Sequence, residues 1–134
     1  TFLKLSPPLR TEEDRMALVQ GLKDETIDVI VSDHKPEDEE QKRLTFAQAA
    51  TGASGIETLL SLSLELYHNG SLKLETIIKA LTSNPATILK INKGNLSVGK
   101  DKLISKSKNT SIEDKKLQGK VTNTFVKGEE LFTL

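Results

Sequence analysis

The sequence contains no cysteine and no tryptophan among its 134 residues. The absence of cysteine excludes disulfide bonds, zinc sites built from thiolates and cysteine nucleophiles. No apolar run approaches the roughly 20 residues that a membrane-spanning helix needs, and the first residues lack the pattern of a secretory signal peptide. We therefore expect no membrane partner and predict a cytoplasmic location.

An excess of either charge is also missing. Nineteen Lys and Arg balance nineteen Asp and Glu, which gives a formal net charge of zero. This balance excludes a basic nucleic-acid binder, and the Lys-rich stretch 100–120 lacks the interleaved aromatic residues that stack on bases. With 36% hydrophobic but only 4% aromatic residues, the chain predicts one folded domain with a core of Leu, Ile and Val.

The first third of the sequence predicts a strand, a helix and a second strand. Residues 1–5 form a short extended run, which the following Ser-Pro-Pro ends. Thr11 is a good N-cap for a helix that opens with three acidic residues. Residues 27–32 are almost continuously apolar and β-branched, as is typical of a parallel strand buried on both faces. Together these elements predict a βαβ unit.

The remainder predicts three helices and a terminal pair of strands. Ser54 and Glu57 have the spacing of a capping box for a helix that ends near Asn69. The second helix carries apolar residues from Leu74 to Leu81, and the third starts at Asn84 as its cap. Residues 93–120 are typical of loops, and strands are expected at 121–126 and 130–132 around a turn at 127–128.

Asp33 is the first candidate for a functional residue, because it follows the predicted buried strand 27–32. Ligands and catalytic groups of α/β proteins collect at the carboxyl ends of strands. An aspartate there can ligate a metal ion or take a proton from a metal-bound water. The structural alternative is that Asp33 only accepts hydrogen bonds from the amides of the following turn.

Three further features are weaker candidates. His34 adjoins Asp33, although one histidine beside an aspartate does not make a metal site. The glycine-rich turn 52–55 could present amides to a carboxylate or imide oxygen, or simply cap a helix. Arg10 could clamp an anion through two hydrogen bonds, or form an exposed salt bridge.

The order of six motifs gives these candidates a common context. They are LSPPLR at 5–10, TIDVIVSDH at 26–34, FAQAA at 46–50, GASGIET at 52–58, LTSNPA at 81–86 and SKSKNT at 105–110. In this order they resemble the C-terminal third of the dihydroorotases of the long bacterial type, which are cyclic amidohydrolases of the amidohydrolase superfamily. The resemblance covers nearly the whole chain.

The resemblance implies an α/β fold: the C-terminal portion of a metal-dependent (β/α)₈ TIM barrel plus terminal strands of a small β-sandwich. Residues 1–92 would belong to the barrel and 93–134 to the sandwich. The implied reaction is zinc-dependent hydrolysis of a cyclic amide, reversibly converting dihydroorotate to N-carbamoyl-L-aspartate in pyrimidine biosynthesis. By motif match, Asp33 is the metal ligand and the catalytic proton shuttle, and Ser54 and Gly55 lie in the stretch whose backbone meets the substrate ring.

Three departures from the family pattern qualify this interpretation. The family has Asp-His-Ala-Pro-His after the strand, and its last histidine helps to hold the substrate carboxylate; here Glu37 takes that position. Lys35 or Arg10 would then have to serve as the cation, with His34 beside them as a further substrate-binding candidate. The family's other metal ligands are also absent from the sequence. Residues 101–104 stand where the family has a longer, aspartate-rich segment, which indicates either a deletion or residues not represented in this sequence.

These departures lead to an expectation about activity. A (β/α)₈ barrel needs about 250 residues, and a catalytic zinc normally takes three protein ligands. We therefore expect the chain to be inactive and poorly soluble alone, and active with an N-terminal barrel segment in a protein of about 45 kDa. Alternatives are a non-catalytic dihydroorotase-like subunit that scaffolds aspartate carbamoyltransferase, or a related hydantoinase or allantoinase. A homodimer is a further possibility.

Overall fold

The structure is a computed structural model that describes residues 1–91, 123–126 and 129–133. It contains five helices and a hairpin within these ranges. The helices are α1 (Glu12–Lys23), α2 (Glu39–Lys42), α3 (Leu59–His68), α4 (Leu74–Leu81) and α5 (Ser83–Ile88), and the strands are β1 (Asn123–Val126) and β2 (Glu129–Thr133). Within the described part, none of the helices has the length and apolar character to cross a membrane.

Helix α1 begins as predicted. The Thr11 hydroxyl accepts a hydrogen bond from the amide of Asp14, whose carboxylate accepts one from the amide of Thr11. This reciprocal pair satisfies two amides that a helix start leaves without partners. Val19 and Leu22 are buried in the core, whereas Leu18 is 58% exposed.

The core lies between α1 and α4. Its buried residues are Val19, Leu22, Leu72, Ile77 and Ala80, with Ile27, Ile30, Leu66 and Leu81 packed against them. Ile77 is fully buried, and the spacing of Ile77 and Ala80 places both on one face of α4. The prediction of this helix from its apolar spacing is confirmed.

The prediction of a strand at 27–32 is wrong, because the structure describes no strand at these residues. The segment is extended, but its described hydrogen bonds join it to helices: the Ile30 amide donates to the Ala80 carbonyl at 3.1 Å, and the Asn84 amide group donates to the Asp28 carbonyl at 2.9 Å. Residues 1–5 are not a strand either. A β-strand requires a ladder with a neighbouring strand, and the described residues place none beside these two segments.

Two predicted helix caps are also wrong. Helix α3 begins at Leu59 rather than at Gly55, because the amides of Thr58 and Leu59 first form a turn with the Gly55 carbonyl. Ser54 is buried before this turn and does not cap the helix. Helix α5 begins at Ser83, two residues earlier than expected, and Asn84 binds the Asp28 carbonyl instead of capping it.

The terminal strands are confirmed as an antiparallel hairpin. Thr124 faces Phe132 and Val126 faces Glu129, with an irregularity in the register after Thr124. The predicted loop 93–120, the segment 101–104 and the turn 127–128 lie outside the described residues. The proposed boundary between residues 92 and 93 falls there as well.

Candidate functional site

Asp33 lies at the rim of a cleft of about 560 Å³. It follows the extended segment 27–32, and its backbone has φ of 43°. Residues other than glycine seldom adopt positive φ, and such conformations persist where the surrounding structure holds them, often at functional sites. Asp33 thus lines a cavity directly after the extended segment, and its role as metal ligand and proton shuttle stays a prediction.

The cleft lining combines apolar and polar residues. The apolar ones come from α1, α3 and the extended segments, namely Leu5, Pro7, Leu18, Val19, Leu22, Ile30, Val31, Leu59, Leu62 and Leu66. The lining also includes Ser32, Asp33 and residues 52–55, and we call the two segments that carry them, 32–37 and 50–56, the rim. Ser54 and Gly55, both predicted to bind substrate, therefore lie on the same cleft as Asp33.

Two glycines allow the two rim segments to cross closely. The Lys35 amide donates to the Ala53 carbonyl at 3.0 Å, which joins the segments. A Cβ atom at Gly52 would lie 2.7 Å from the Lys35 carbonyl oxygen, and one at Gly55 would lie 2.9 Å from the Ser32 carbonyl oxygen. Gly52 also has φ of +139°, which disfavours any other residue.

His34 binds the opposite rim segment. Its Nδ1 atom accepts hydrogen bonds from the amides of Gly55 at 3.1 Å and Ile56 at 3.3 Å. A ring nitrogen that accepts must carry a lone pair, so any proton of the neutral ring is on Nε2. Both main-chain polar groups of Gly55 thus have partners within the protein, and substrate contact by Ser54 and Gly55 stays a prediction.

The two cations predicted to replace the family histidine do not line the cleft. The Lys35 ammonium donates to the Thr51 carbonyl at 3.0 Å and lies 3.3 Å from the Glu37 carboxylate. Arg10 is exposed on the segment before α1. The structure therefore brings together Asp33, Ser54 and Gly55, and it leaves Arg10 and Lys35 outside.

Arg15 is a cationic residue of the cleft that the sequence analysis missed. Its guanidinium forms two hydrogen bonds with the Glu12 carboxylate, at 2.8 and 2.5 Å. These hydrogen bonds and the charge of Arg15 lower the pKa of Glu12. The spacing of residues 12 and 15 on one helix face could have predicted the pair, but not that the cleft would lie beside it.

Lys42 was also missed. Its side chain is buried at the end of α2, and its ammonium donates to the carbonyls of Lys4 at 3.1 Å, Ala50 at 3.1 Å and Gly52 at 2.7 Å. A lysine is seldom fully buried unless its charge is satisfied. No sequence signal identified it, since Lys42 stands in a charged run typical of a solvated loop.

The described residues do not form a metal centre by themselves. Among them, no group of three or more His, Cys, Asp and Glu residues is placed to hold an ion. Asp33 offers one carboxylate, and the Nδ1 atom of His34 is already occupied by two amides. The donor set of the described residues is therefore too small for zinc, which normally takes three or four protein ligands.

Comparisons with known proteins connect this site to a family. Residues 5–131 match the Amidohydrolase family. The dihydroorotase of Ehrlichia canis (strain Jake) is 41% identical over 99% of this chain and 34% of its own length. That of Syntrophus aciditrophicus (strain SB) is 40% identical over 98% of this chain and 35% of its own length. The chain thus spans about a third of the curated relatives that it matches.

Solved structures show the same fold. The L-hydantoinase (dihydropyrimidinase) from Arthrobacter aurescens matches 98% of this chain and 34% of its own, with a TM-score of 0.84 and 24% identity. A D-hydantoinase matches the same shares with a TM-score of 0.79 and 18% identity. These likenesses support the predicted barrel-type α/β fold. With a family match over almost its entire length, the chain belongs to the amidohydrolase family.

Proposed function

We propose that this chain supplies the C-terminal third of a dihydroorotase. The complete enzyme would catalyse the reversible hydrolysis of dihydroorotate to N-carbamoyl-L-aspartate, a step of pyrimidine biosynthesis, in the cytoplasm. The observation that carries this proposal is the identity of about 40% to dihydroorotases over almost the whole chain. The position of Asp33 beside a cleft supports it.

The rest of the enzyme would come from an N-terminal barrel segment. The apolar lining of the cleft and the extended segment 27–32, beside which none of the described residues forms a strand, are surfaces that a barrel would cover. Residues 1–92 would form the last part of the (β/α)₈ barrel. The terminal hairpin would belong to a small β-sandwich formed from residues 93–134 and the other end of the polypeptide.

In this proposal Asp33 moves the proton of the reaction. Water adds to the ring amide carbonyl, the carbon–nitrogen bond breaks, and the released nitrogen gains a proton. A carboxylate beside the reacting carbonyl can accept the proton from the water and deliver it to that nitrogen. We also propose that Asp33 is one ligand of a zinc site whose other ligands lie outside the described residues.

Replacement of Asp33 in the complete protein tests this role. Asp33→Ala should lower kcat/KM for dihydroorotate by more than about 100-fold, because it removes about 3 kcal/mol or more of transition-state stabilisation. Asp28→Ala is the matched control, since Asp28 is an exposed aspartate on the same segment. Zinc content should fall in the Asp33 variant alone. Full activity of Asp33→Ala would contradict the assignment.

A second candidate function is a non-catalytic subunit that scaffolds aspartate carbamoyltransferase. It is favoured by Glu37 at the family histidine position and by the absence of Lys35 and Arg10 from the cleft lining. The complete protein would then bind aspartate carbamoyltransferase during gel filtration and show no hydrolysis of dihydroorotate with zinc added. Turnover of dihydroorotate would exclude this function.

A hydantoinase or allantoinase activity is a third outcome of the same assay. The acidic residue Glu37 suits a substrate without a carboxylate, because two negative charges repel each other. A panel of dihydroorotate, hydantoins and allantoin distinguishes these activities. Hydrolysis of an uncharged ring with no reaction on dihydroorotate would favour this alternative.

A further inference from the structure

We propose that Lys42 is a positioning residue for the rim segment 50–56 of the cleft, and that it governs substrate binding through this segment. The inference rests on the proposed function, because it concerns the same cleft. It assigns a role to a buried charged group that neither contacts Asp33 nor lines the cavity.

The burial of Lys42 is the first observation. Its side chain is only 2% exposed, although a buried ammonium is costly unless all of its donors are satisfied. The group has three N–H donors, and the structure gives it three acceptors, all main-chain carbonyls. The geometry is therefore complete, and charge-assisted hydrogen bonds of this kind are stronger than neutral ones.

The positions of those carbonyls are the second observation. Two of them, from Ala50 and Gly52, belong to the chain that enters the cleft rim. The third, from Lys4, also accepts a hydrogen bond from the Gly52 amide at 3.1 Å. Lys42 therefore fixes Gly52 directly through its carbonyl and indirectly through the partner of its amide.

The connection to the reacting centre runs along the rim. Ala53 follows Gly52 and accepts a hydrogen bond from the Lys35 amide, two residues after Asp33. At its other end the rim segment is held by His34 through the amides of Gly55 and Ile56. Lys42 thus fixes the first residues of segment 50–56, whereas His34 fixes its last residues. Loss of Lys42 should therefore displace this segment, while Asp33, which belongs to segment 32–37, should keep its position.

Another lysine provides a matched control, because it binds carbonyls just before the rim segment from a more exposed position. Lys4 is half-buried and donates to the carbonyls of Ala47 and Ala49. Since water can replace a partly exposed donor but not a buried one, we expect only Lys42 to be indispensable for the rim.

The test compares Lys42→Met with Lys4→Met in the complete protein. Methionine has a similar length but no donor, so three carbonyls lose the hydrogen bond from Lys42. We expect Lys42→Met to raise KM for dihydroorotate by about 10-fold or more with kcat changed less than about 3-fold, whereas Lys4→Met should change KM less than about 3-fold. Lys42→Gln, which keeps two N–H donors, should give an intermediate KM and serves if the methionine variant does not fold.

Hydrogen exchange provides a readout that does not depend on turnover. The amides of Gly52, Gly55 and Ile56 should exchange at least about 10-fold faster in Lys42→Met, while those of α1 remain unchanged. A lower melting temperature with unaltered KM and unaltered exchange at these amides would overturn the proposal. If the wild-type protein hydrolyses no cyclic amide, the proposed function fails, and the exchange measurement alone still decides whether Lys42 positions the rim.

Discussion

The helical core and the cleft rim of this chain are held together by different interactions. In the core, Val19, Leu22 and Ile77 pack through apolar side chains between α1 and α4. In the rim, segments 32–37 and 50–56 meet through main-chain hydrogen bonds, close glycine contacts and lysine ammonium groups. Substitutions in the core should therefore act through lost volume, whereas substitutions in the rim should act through lost donors or added atoms.

The core should show the largest effect on stability. Ile77→Ala is expected to lower the free energy of unfolding by about 2–5 kcal/mol, because it removes apolar contacts and leaves a cavity. Ile78→Ala is the control: Ile78 is the next residue of α4 but is 43% exposed, and its variant should lose less than about 1 kcal/mol. Denaturant titration of the complete protein measures both. Equal losses would show that the core is not where the structure places it.

Glycine substitution should give the next largest effect, and it concerns the rim. Gly52→Ala should cost about 2 kcal/mol or more, since it combines a disfavoured φ with a contact of 2.7 Å to the Lys35 carbonyl oxygen. Gly70→Ala provides the comparison, because Gly70 has φ of +74° but open space around it. Its cost should be about 1 kcal/mol. Melting curves in which Gly70→Ala loses as much as Gly52→Ala would contradict the crossing of the two segments.

A smaller effect is expected from His34. His34→Asn retains an acceptor near the position of Nδ1, whereas His34→Phe leaves the amides of Gly55 and Ile56 without their partner. We expect His34→Phe to lose about 1 kcal/mol and His34→Asn clearly less. The exchange rates of these two amides should follow the same order. Identical exchange in both variants would show that the Nδ1 contacts do not hold the rim.

The smallest effect on stability should come from Asp24, an exposed residue at the end of α1. Hydrogen bonds from the hydroxyl and amide of Thr26 lower the pKa of this carboxyl. A lowered pKa in the folded state means that the stabilisation is present above the ordinary value of 3.8 and is lost as the pH falls through the lowered value. The melting temperature of Asp24→Asn should thus be slightly below that of wild type at pH 7, and the gap should close in acid. A gap that persists at pH 2 would contradict this origin.

The sequence predicted the core better than the rim. Helices α1 and α4 follow from a capping pattern and from apolar spacing, which are local signals. The site prediction at Asp33 depended on its place after an apolar run; the structure puts this residue on a cleft lining, while its chemical role stays a prediction. The extended segments were wrongly assigned as strands, because strand formation depends on partners that a local pattern does not contain.

The rim contacts could not have been predicted from local patterns. Lys42 stands in a charged run, and only the positions of carbonyls 10 and 38 residues away in sequence explain its burial. The roles of Gly52 and Gly55 likewise depend on carbonyls of a separate segment. Ser54 and Glu57 formed a plausible capping pattern, but an additional turn before α3 displaced the helix start.

The attachment of segment 27–32 to helices has a consequence for assembly. Hydrogen bonds with Gly21, Ala80 and Asn84 hold its backbone extended, and within the described ranges no strand lies beside it. Residues 27–32 have therefore already lost much of their backbone conformational entropy. The entropy cost of pairing with an incoming strand would be smaller for them than for an unstructured chain. The helical layer would act as a template that sets the shape of the sheet in advance.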